Sequence, residues 1–552
     1  MRKRLIKTAI YFFSSLAVLI AGLIIYITIV AQVDLPQPEN TECLNWQRKQ
    51  VDSGLFVVKN NWLRKSESGL YEMYIEGNPF ERGVAVGKLT KELAQYQEQV
   101  FVKQIRQLVP SNFKLNFLKI FVGWFNRNLE PSIPEEFKLE IFGVSTEASK
   151  DFDYIAKPYQ RLLNYHAAHD IGHALQNMSL VGCTSFAAWG DRTRDSSLLI
   201  ARNFDFYVGD DFAKNKIIAF YNPTDGHKFM MVTFSGMTGV LSGMNDQGLT
   251  VTLNAAKSDI PSSSAMPVSL VAREILQYAS TIEEAYAIAA KRKMFVAESF
   301  LIGSAKDKRA AVIEKTPDAI ELYDPQNNQI ICTNHFQSKI VGGTSLNQEH
   351  IRNSASKYRW QRVEELLKSN EKISVEEAAT LLRDQKGMDG VDIGLGNEKS
   401  INQLIAHHAI IFQPNQLKVW VSTAPWQLGK FVCYDLKKVF GLHKEDNQEI
   451  ADSTMAISSD SFLMTKSYID FTKFAKYRFP FQPRDDMQPD SLVKWNPHSY
   501  LSYMLAGDAC FNTKDFKSAI VFYEKGLTKE FASLQEKDYM YTQVSKCKSK
   551  LK

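Results

Sequence analysis

The sequence predicts an α+β fold built in layers, and three observations carry that prediction. From Cys183 onward, short runs rich in β-branched and aromatic residues (SLLIARNFDFYV, KFMMVTFSG, GLTVTLNAA, AAVIEK) recur between turn signals. Helical patterns over Val268 to Arg292 and Ser356 to Leu382 interrupt these runs in blocks rather than after every strand. Grouped strands argue for sheets covered by helices, not for a regular βαβ repeat.

The elements follow in chain order. Residues 1–35 read as a signal anchor: Thr8 to Val33 carry no charged side chain, with Arg2, Lys3, Arg4 and Lys7 before them and Asp34 after. That length spans a hydrocarbon core of roughly 30 Å. The basic flank leaves the body of the chain on the extracytoplasmic side, periplasmic or extracellular. A cleaved signal peptide is the rival reading, although its apolar region is normally about 7 to 15 residues and ends at a small-x-small site. Residues 36–53 read as a polar juxtamembrane linker. Residues 54–182 read as mainly helical. Within them FKLNFLKIFVGWFNRNL, Phe113 to Leu129, reads as a core-facing helix, with a membrane-surface or substrate-entry helix as the alternative.

Residues 183–440 form the predicted catalytic core, and 441–496 a second linker. In 497–552 a helix carrying Gly507, Ala509 and Phe511, a polar turn, and a helix carrying Ala519, Phe522 and Tyr523 resemble one tetratricopeptide repeat. A single repeat cannot bury its own face, so it packs on the main domain or offers a surface to a protein partner.

Composition excludes several function classes. With 552 residues, 45% of them apolar, the chain can bury a large core. The net charge is only +5 and no long basic block follows the first residues, which sets nucleic acid aside. The six cysteines show no CxxC spacing, so neither a zinc cage nor a dense disulfide framework is expected, and no cofactor is implied. A Cys510–Cys547 bridge stays open in an oxidising compartment.

Cys183 is the candidate for reactivity. Gly182 before it removes the side chain that would obstruct attack of the sulfur on the preceding carbonyl. If the Gly182–Cys183 bond is cut, the new α-amine, with an unperturbed pKa of about 7.7 to 8, is a base on the nucleophile's own residue. Arg202 and Asp205 follow on the next predicted strand. Alone, an Arg and an Asp three apart read as a surface pair and project to opposite faces unless a bend intervenes. Asn254 and Asn334 alone read as strand-end or turn residues.

Taken together and in order, GCTSF, the strand with Arg202 and Asp205, GMNDQGLTVTLNAA with Asn254, CTNHF with Asn334, and AHHAIIFQPNQLKVWVSTAPWQLGKFVCYDL resemble the N-terminal-nucleophile hydrolases. Specifically, they resemble the autoprocessing branch of the isopenicillin-N acyltransferase kind, related to penicillin V acylase, bile-salt hydrolase and acid ceramidase. EGNPFERGVAVGKL is similar to that family's N-terminal glycine-containing segment, so the resemblance covers roughly Gly69 to Leu436. It implies a four-layer αββα sandwich of antiparallel sheets and cleavage between Gly182 and Cys183. It further implies Cys183 as nucleophile with its freed amine as base, Arg202 and Asp205 beside it with the guanidinium fixing the carboxylate, and Asn254 and Asn334 in the oxyanion hole. Related acylases use a later Arg as well, and none stands out in this sequence. The substrate implied is a small N-acyl amide with an apolar acyl group, the outcome being hydrolysis or acyl transfer.

Two rivals stand beside this reading. In YHAAHDIGHAL, His169 and His173 sit four apart with His166 upstream, an echo of HExxH with Asp for Glu; the shorter Asp and Gly172 make it a poor zinc site. His335, His407 and His408 read as structural or supporting residues. From another class comes a catalytically retired core that displays its repeat-like tail to a partner.

Overall fold

Runs such as FMMVT and HAIIFQ are apolar at nearly every position, so sheets made from them must be buried on both faces. The computed structural model bears this out; it describes every residue except 1, 176–181, 208, 258, 260, 442–448 and 480–485. Along the chain the strands are β1 (Lys49–Asp52), β2 (Leu55–Val58), β3 (Asn61–Lys65), β4 (Tyr71–Gly77), β5 (Thr184–Ala188), β6 (Leu199–Phe204), β7 (Ile217–Pro223), β8 (Phe229–Thr233) and β9 (Ser242–Asn245). They continue as β10 (Leu249–Ala255), β11 (Glu298–Ser304), β12 (Arg309–Lys315), β13 (Ile320–Tyr323), β14 (Gln329–Cys332), β15 (His408–Gln413), β16 (Lys418–Ser422), β17 (Phe431–Asp435) and β18 (Ala451–Ile457). The helices are α1 (Arg2–Val30), α2 (Pro79–Leu108), α3 (Asn112–Phe125), α4 (Glu135–Ser145), α5 (Pro158–Leu175), α6 (Asp210–Ala213), α7 (Val268–Tyr278), α8 (Ile282–Lys291) and α9 (Ser345–Asn353). After them come α10 (Ser356–Ser369), α11 (Val375–Leu382), α12 (Leu436–Val439), α13 (Lys466–Phe474), α14 (Pro489–Trp495), α15 (Tyr500–Asn512), α16 (Phe516–Gly526) and α17 (Leu534–Lys550).

Among the described residues, one sheet has eleven strands in the order β1-β2-β3-β4-β7-β8-β9-β10-β11-β12-β13, the other seven in the order β14-β5-β6-β15-β16-β17-β18. Side chains alternate between faces along each strand. Met230 and Val232 of β8 meet Ile200 of β6 and Ile410 and Phe412 of β15 in one buried cluster, so the sheets face each other. The opposite faces are closed by helices. Phe229 and Met231 pack with Leu89, Phe137, Leu163 and Ile275 of α2, α4, α5 and α7, while Ala201 and Ile411 pack with Val363 of α10 and Leu382 of α11.

Several expectations need correction. Residues 54–77 are not helical but form β2, β3 and β4. Their alternation is disguised because two buried positions are charged: Arg64 and Glu72 pair at 2.7 Å, and Tyr434 donates to Glu72 at 2.9 Å. The sheets are not wholly antiparallel, since β4 pairs with β7 in parallel and ties the N-terminal segment into the larger sheet. The stretch 36–53 contains β1 and a buried Cys43. Nor is 441–496 a plain linker: β18 joins the smaller sheet, and Phe471, Phe474 and Leu492 of α13 and α14 are fully buried.

Only the C-terminal half of α3 faces the core, through Phe121, Trp124 and Phe125. Phe125 is its only described buried residue, Phe113 and Phe117 are exposed, and Gly123 lies against Ala31 just beyond α1. Within α1, Ile6–Ile27 is long and apolar enough to cross a membrane. The C-terminal pair is extended by a third helix, α17, whose Met540, Val544 and Cys547 cover Tyr500, Ala519 and Tyr523. Cys510 and Cys547 share this cluster as free thiols.

The N-terminal segment is also joined to the core by buried charge. Glu140 of α4 takes Arg82 of α2 at 2.8 Å and Arg273 of α7 at 3.1 Å. Burial would raise its pKa, but the two guanidiniums outweigh this and hold it below the ordinary range. Removing one partner of such a group strands uncompensated charge. Glu140→Ala is therefore expected to cost about 3–5 kcal/mol in urea unfolding. Removing the exposed Arg194–Glu377 pair should leave the urea midpoint almost unchanged.

Candidate active site

The site is assembled around the β5–β6 hairpin. Cys183 immediately precedes β5, and the register sets Ser185 opposite Arg202 and Thr184 opposite Asn203. β6 stops at Phe204, so Asp205 lies past the strand end and is freed from the alternation that would turn it away from Arg202. Cys183, Arg202 and Asp205 are all buried.

The Cys183 sulfur lies 3.6 Å from Arg202 Nη2. Burial pushes the thiol pKa up to about 11, with Arg202 acting in the opposite direction, so in the intact chain the sulfur is protonated. Arg202 is itself fixed: Nη1 donates to the Leu241 carbonyl and to Ser242 Oγ, both at 2.6 Å, Nη2 reaches the Leu253 carbonyl, and the guanidinium lies over the Phe204 ring at 4.6 Å.

The Gly182 carbonyl, acceptor end of the expected scissile bond, receives two side-chain donors. Arg359 Nη1 donates to it at 3.0 Å and Gln403 Nε2 at 2.7 Å. The same Arg359 nitrogen reaches the Cys183 carbonyl at 2.6 Å and Thr184 Oγ1 at 2.8 Å, while the Gly182 N–H donates to the Asp205 carbonyl at 3.0 Å. A side chain on Gly182 would collide with the Gln403 amide, so glycine here admits the clamp. Two donors aimed at a carbonyl oxygen are positioned to stabilise the negative charge that forms on it under nucleophilic attack.

Asp205 is not held as expected. Among the described residues it makes no ion pair with Arg202; its oxygens take the amides of Gln403 and Gln427, each at 3.4 Å. Burial lifts its pKa to about 7 against the pull of Arg359, Arg478 and Arg202, so this carboxyl gains or loses a proton near neutrality. The two asparagines sit in the surrounding shell. Asn254 donates to the Cys332 carbonyl at 3.0 Å and accepts from Ser185 Oγ at 2.7 Å. Asn334 donates to the Ala255 carbonyl at 2.9 Å and accepts from Arg359 Nη2 at 2.7 Å. The donors on the Gly182 carbonyl are thus Arg359 and Gln403, and Asn334 orients one of them.

Arg359 and Gln403 escape sequence reasoning. Arg359 lies in SKYRWQRVEELLKS, a helix that reads as solvated, and Gln403 in an irregular loop before β15. Neither position carries a local signal. Glu298, at the start of β11, is likewise hidden: it is fully buried, both carboxylate oxygens lack a hydrogen-bond partner, and burial with Asp170 nearby raises its pKa well above the ordinary value.

An apolar cavity of about 110 Å³ adjoins the site. Phe204, Phe206, Phe212, Phe234 and Leu241 form one wall, and Phe101, Leu162 and His166 of the N-terminal segment belong to the other. Phe204 and Leu241 are also the residues that hold Arg202, so the cavity begins one side chain from the sulfur. His166 is a fastener rather than a metal ligand: Nδ1 contacts the Leu162 carbonyl at 2.8 Å and Nε2 accepts from the Thr238 N–H at 3.0 Å. Asp170 accepts from the Val268 N–H at the start of α7. The side chains of His169 and His173 lie outside the described residues. His407 and His408 touch at 3.0 Å, and His408 reaches Ser242 Oγ, a partner of Arg202, at 2.9 Å.

The unpartnered Glu298 gives a signed pH prediction. A buried acid with a raised folded-state pKa favours the fold fully below its unfolded pKa of about 4.3, and that contribution is lost as pH rises toward the folded value. Glu298→Gln removes the titration. Its thermal midpoint should match wild type at pH 4 and exceed it increasingly up to pH 8; a pH-independent difference would contradict the neutral assignment.

Residues 192–425 match the family model described as acyl-coenzyme A:6-aminopenicillanic acid acyl-transferase. That stretch contains Arg202, Asp205, Asn254, Asn334, Arg359 and Gln403, and excludes Cys183 and the C-terminal helices. An uncharacterized protein of Archaeoglobus fulgidus is 28% identical over 267 residues, 46% of this chain and 44% of its own length. Protein dcd1B of Dictyostelium discoideum is 23% identical over 273 residues, 46% of this chain and 52% of its own. The chain spans about half the length of these curated relatives. The solved Caenorhabditis elegans N-acylethanolamine-hydrolyzing acid amidase ortholog aligns with a TM-score of 0.31 and 17% identity, over 42% of this chain and 93% of that one. Through residues 192–425, less than half of its length, the chain is similar to the acyl-transferase family that this model describes.

Proposed function

We propose that the chain is a self-cleaving cysteine amidohydrolase or acyltransferase, anchored by α1 with its body on the extracytoplasmic side, that acts on linear amides with an apolar acyl group. One observation carries the reading: the Gly182 carbonyl, next to the Cys183 thiol, is gripped by Arg359 and Gln403. Cleavage starts when the sulfur attacks the Gly182 carbonyl carbon and the oxyanion gathers charge between those donors. The thiol proton ends on the departing Cys183 nitrogen as the C–N bond breaks, leaving a thioester. Asp205, titrating near neutrality, supports its role in that transfer. Water then opens the thioester, giving a Gly182 carboxylate and a free thiol and amine on Cys183.

In turnover the new amine takes the thiol proton, the sulfur attacks the acyl carbonyl of the substrate, and the amine portion leaves with that proton. Water or a second amine resolves the acyl thioester. Asn254 and Asn334 are assigned to the oxyanion hole of this second stage, the acyl chain to the cavity beside Phe204. The helices outside both facing sheets support the four-layer architecture of the family. Because residues before Gly182 supply β1 to β4 and one cavity wall, the two chains stay together after cleavage.

Intact mass and N-terminal sequencing of wild type beside Cys183→Ala test the reading. Wild type is expected to yield two co-eluting chains, one beginning at Cys183, and the variant a single chain; two uncut chains would contradict it. With the processed protein, N-acyl amides of increasing chain length should be turned over increasingly well. Turnover of small polar amides alone would remove the apolar-acyl assignment.

A further inference from the structure

One charged side chain from beyond the family-matched stretch reaches back to the clamp. Arg478 follows α13 and is 7% exposed. Its Nη1 donates to the Gln403 carbonyl at 2.9 Å and its Nη2 to the Gly396 carbonyl. Both acceptors lie in the irregular loop between α11 and β15, the loop whose Gln403 side chain holds the Gly182 carbonyl. A side chain on Gly396, which has φ +74°, would come within 3.1 Å of the guanidinium carbon and of the Phe471 ring.

The loop is held on both sides. On the inner side Asn203 of β6 donates to the Ile401 carbonyl at 3.0 Å. On the outer side Asn496 exchanges hydrogen bonds of 3.0 and 2.8 Å with the Leu395 backbone, and Asn397 donates to the Glu530 carbonyl at 3.0 Å. The other amide on Asp205, that of Gln427, follows Trp426, whose ring packs on Tyr468 and Phe471 of α13. Both glutamines that touch Asp205 thus stand on loops that the C-terminal segment covers.

We infer that this segment is part of the cleavage apparatus, with Arg478 as the positioning residue that sets Gln403 against the Gly182 carbonyl. The inference rests on the self-cleavage reading above. A glutamine side chain on an irregular loop loses rotamer freedom when fixed, and a displacement of about 1 Å at such a donor can cost on the order of a hundredfold in rate. A guanidinium bridging two carbonyls of the same loop removes that freedom in advance, which a lysine, as a single point of charge, does less well.

The test follows the rate at which the chain beginning at Cys183 appears from cell-free synthesised full-length protein. Arg478→Gln is expected to slow cleavage at least tenfold, with Arg478→Lys between it and wild type. In a Gln403→Asn background, already slow, adding Arg478→Gln should change the rate less than twofold, because both act through one contact. Should Arg478→Gln fail to give a cooperative melt, Arg478→Lys alone and in the Gln403→Asn background carries the comparison. Wild-type rates in the Arg478 variants, or a double variant slowed by the full product of the two single effects, would overturn the inference. A wild-type chain that stays whole would instead remove the self-cleavage reading, and this step with it.

Discussion

A peptide carbonyl taken out of water must be given donors, because leaving it unpaired costs roughly 1–3 kcal/mol. The Gly182 carbonyl is given two, and neither comes from nearby in the chain: Arg359 is on α10 and Gln403 in the loop before β15. Much of the architecture is a consequence of that requirement. α10 packs on the outer face of the smaller sheet, β15 pairs with β6, and only when both are in place do the two donors converge in front of Cys183. The two-donor contact is therefore a property of the folded chain, and the cleavage we propose at this bond waits for folding.

The same burial sets the protonation states. A thiol lifted to about 11 is a poor nucleophile in the intact chain, whereas Asp205, lifted to about 7, exchanges its proton near physiological pH. The positive groups around them, Arg202, Arg359 and Arg478, keep the carboxyl from rising further. Cutting the bond changes the balance by adding an amine whose ordinary pKa is about 7.7 to 8. In the self-cleavage we propose, one buried cluster carries two chemistries in succession, the first creating the base that the second requires.

The amino-acid sequence reveals those parts of this arrangement that are local. Cys183 is marked by its glycine, Arg202 and Asp205 share one hairpin with it, and strands buried on both faces announce themselves as unbroken apolar runs. Arg359 and Gln403 are ordinary polar residues in polar surroundings; what distinguishes them is burial by elements more than a hundred residues away, which no local pattern encodes. β3 and β4 are hidden for the opposite reason, since Arg64 and Glu72 place charge where alternation calls for apolar side chains and pair it with each other and with Glu449. The segment 441–496 reads as a linker because its strand and helices are short and separated by polar runs, although its aromatic side chains close the far side of the Gln403 loop.

The central claim is that the Gly182 carbonyl is polarised by two side chains before any reaction, and it can be examined in a chain that cannot react. In Cys183→Ala, the bond between residues 182 and 183 is the only Gly–Ala peptide of the sequence, so carbonyl-¹³C glycine with ¹⁵N alanine isolates one carbonyl in a coupled NMR spectrum. A strongly hydrogen-bonded carbonyl resonates downfield of an unbonded one. The clamp predicts a downfield signal in the folded protein that moves back upfield when Gln403→Ala is added. A carbonyl at its unfolded-chain position, indifferent to Gln403, would contradict it.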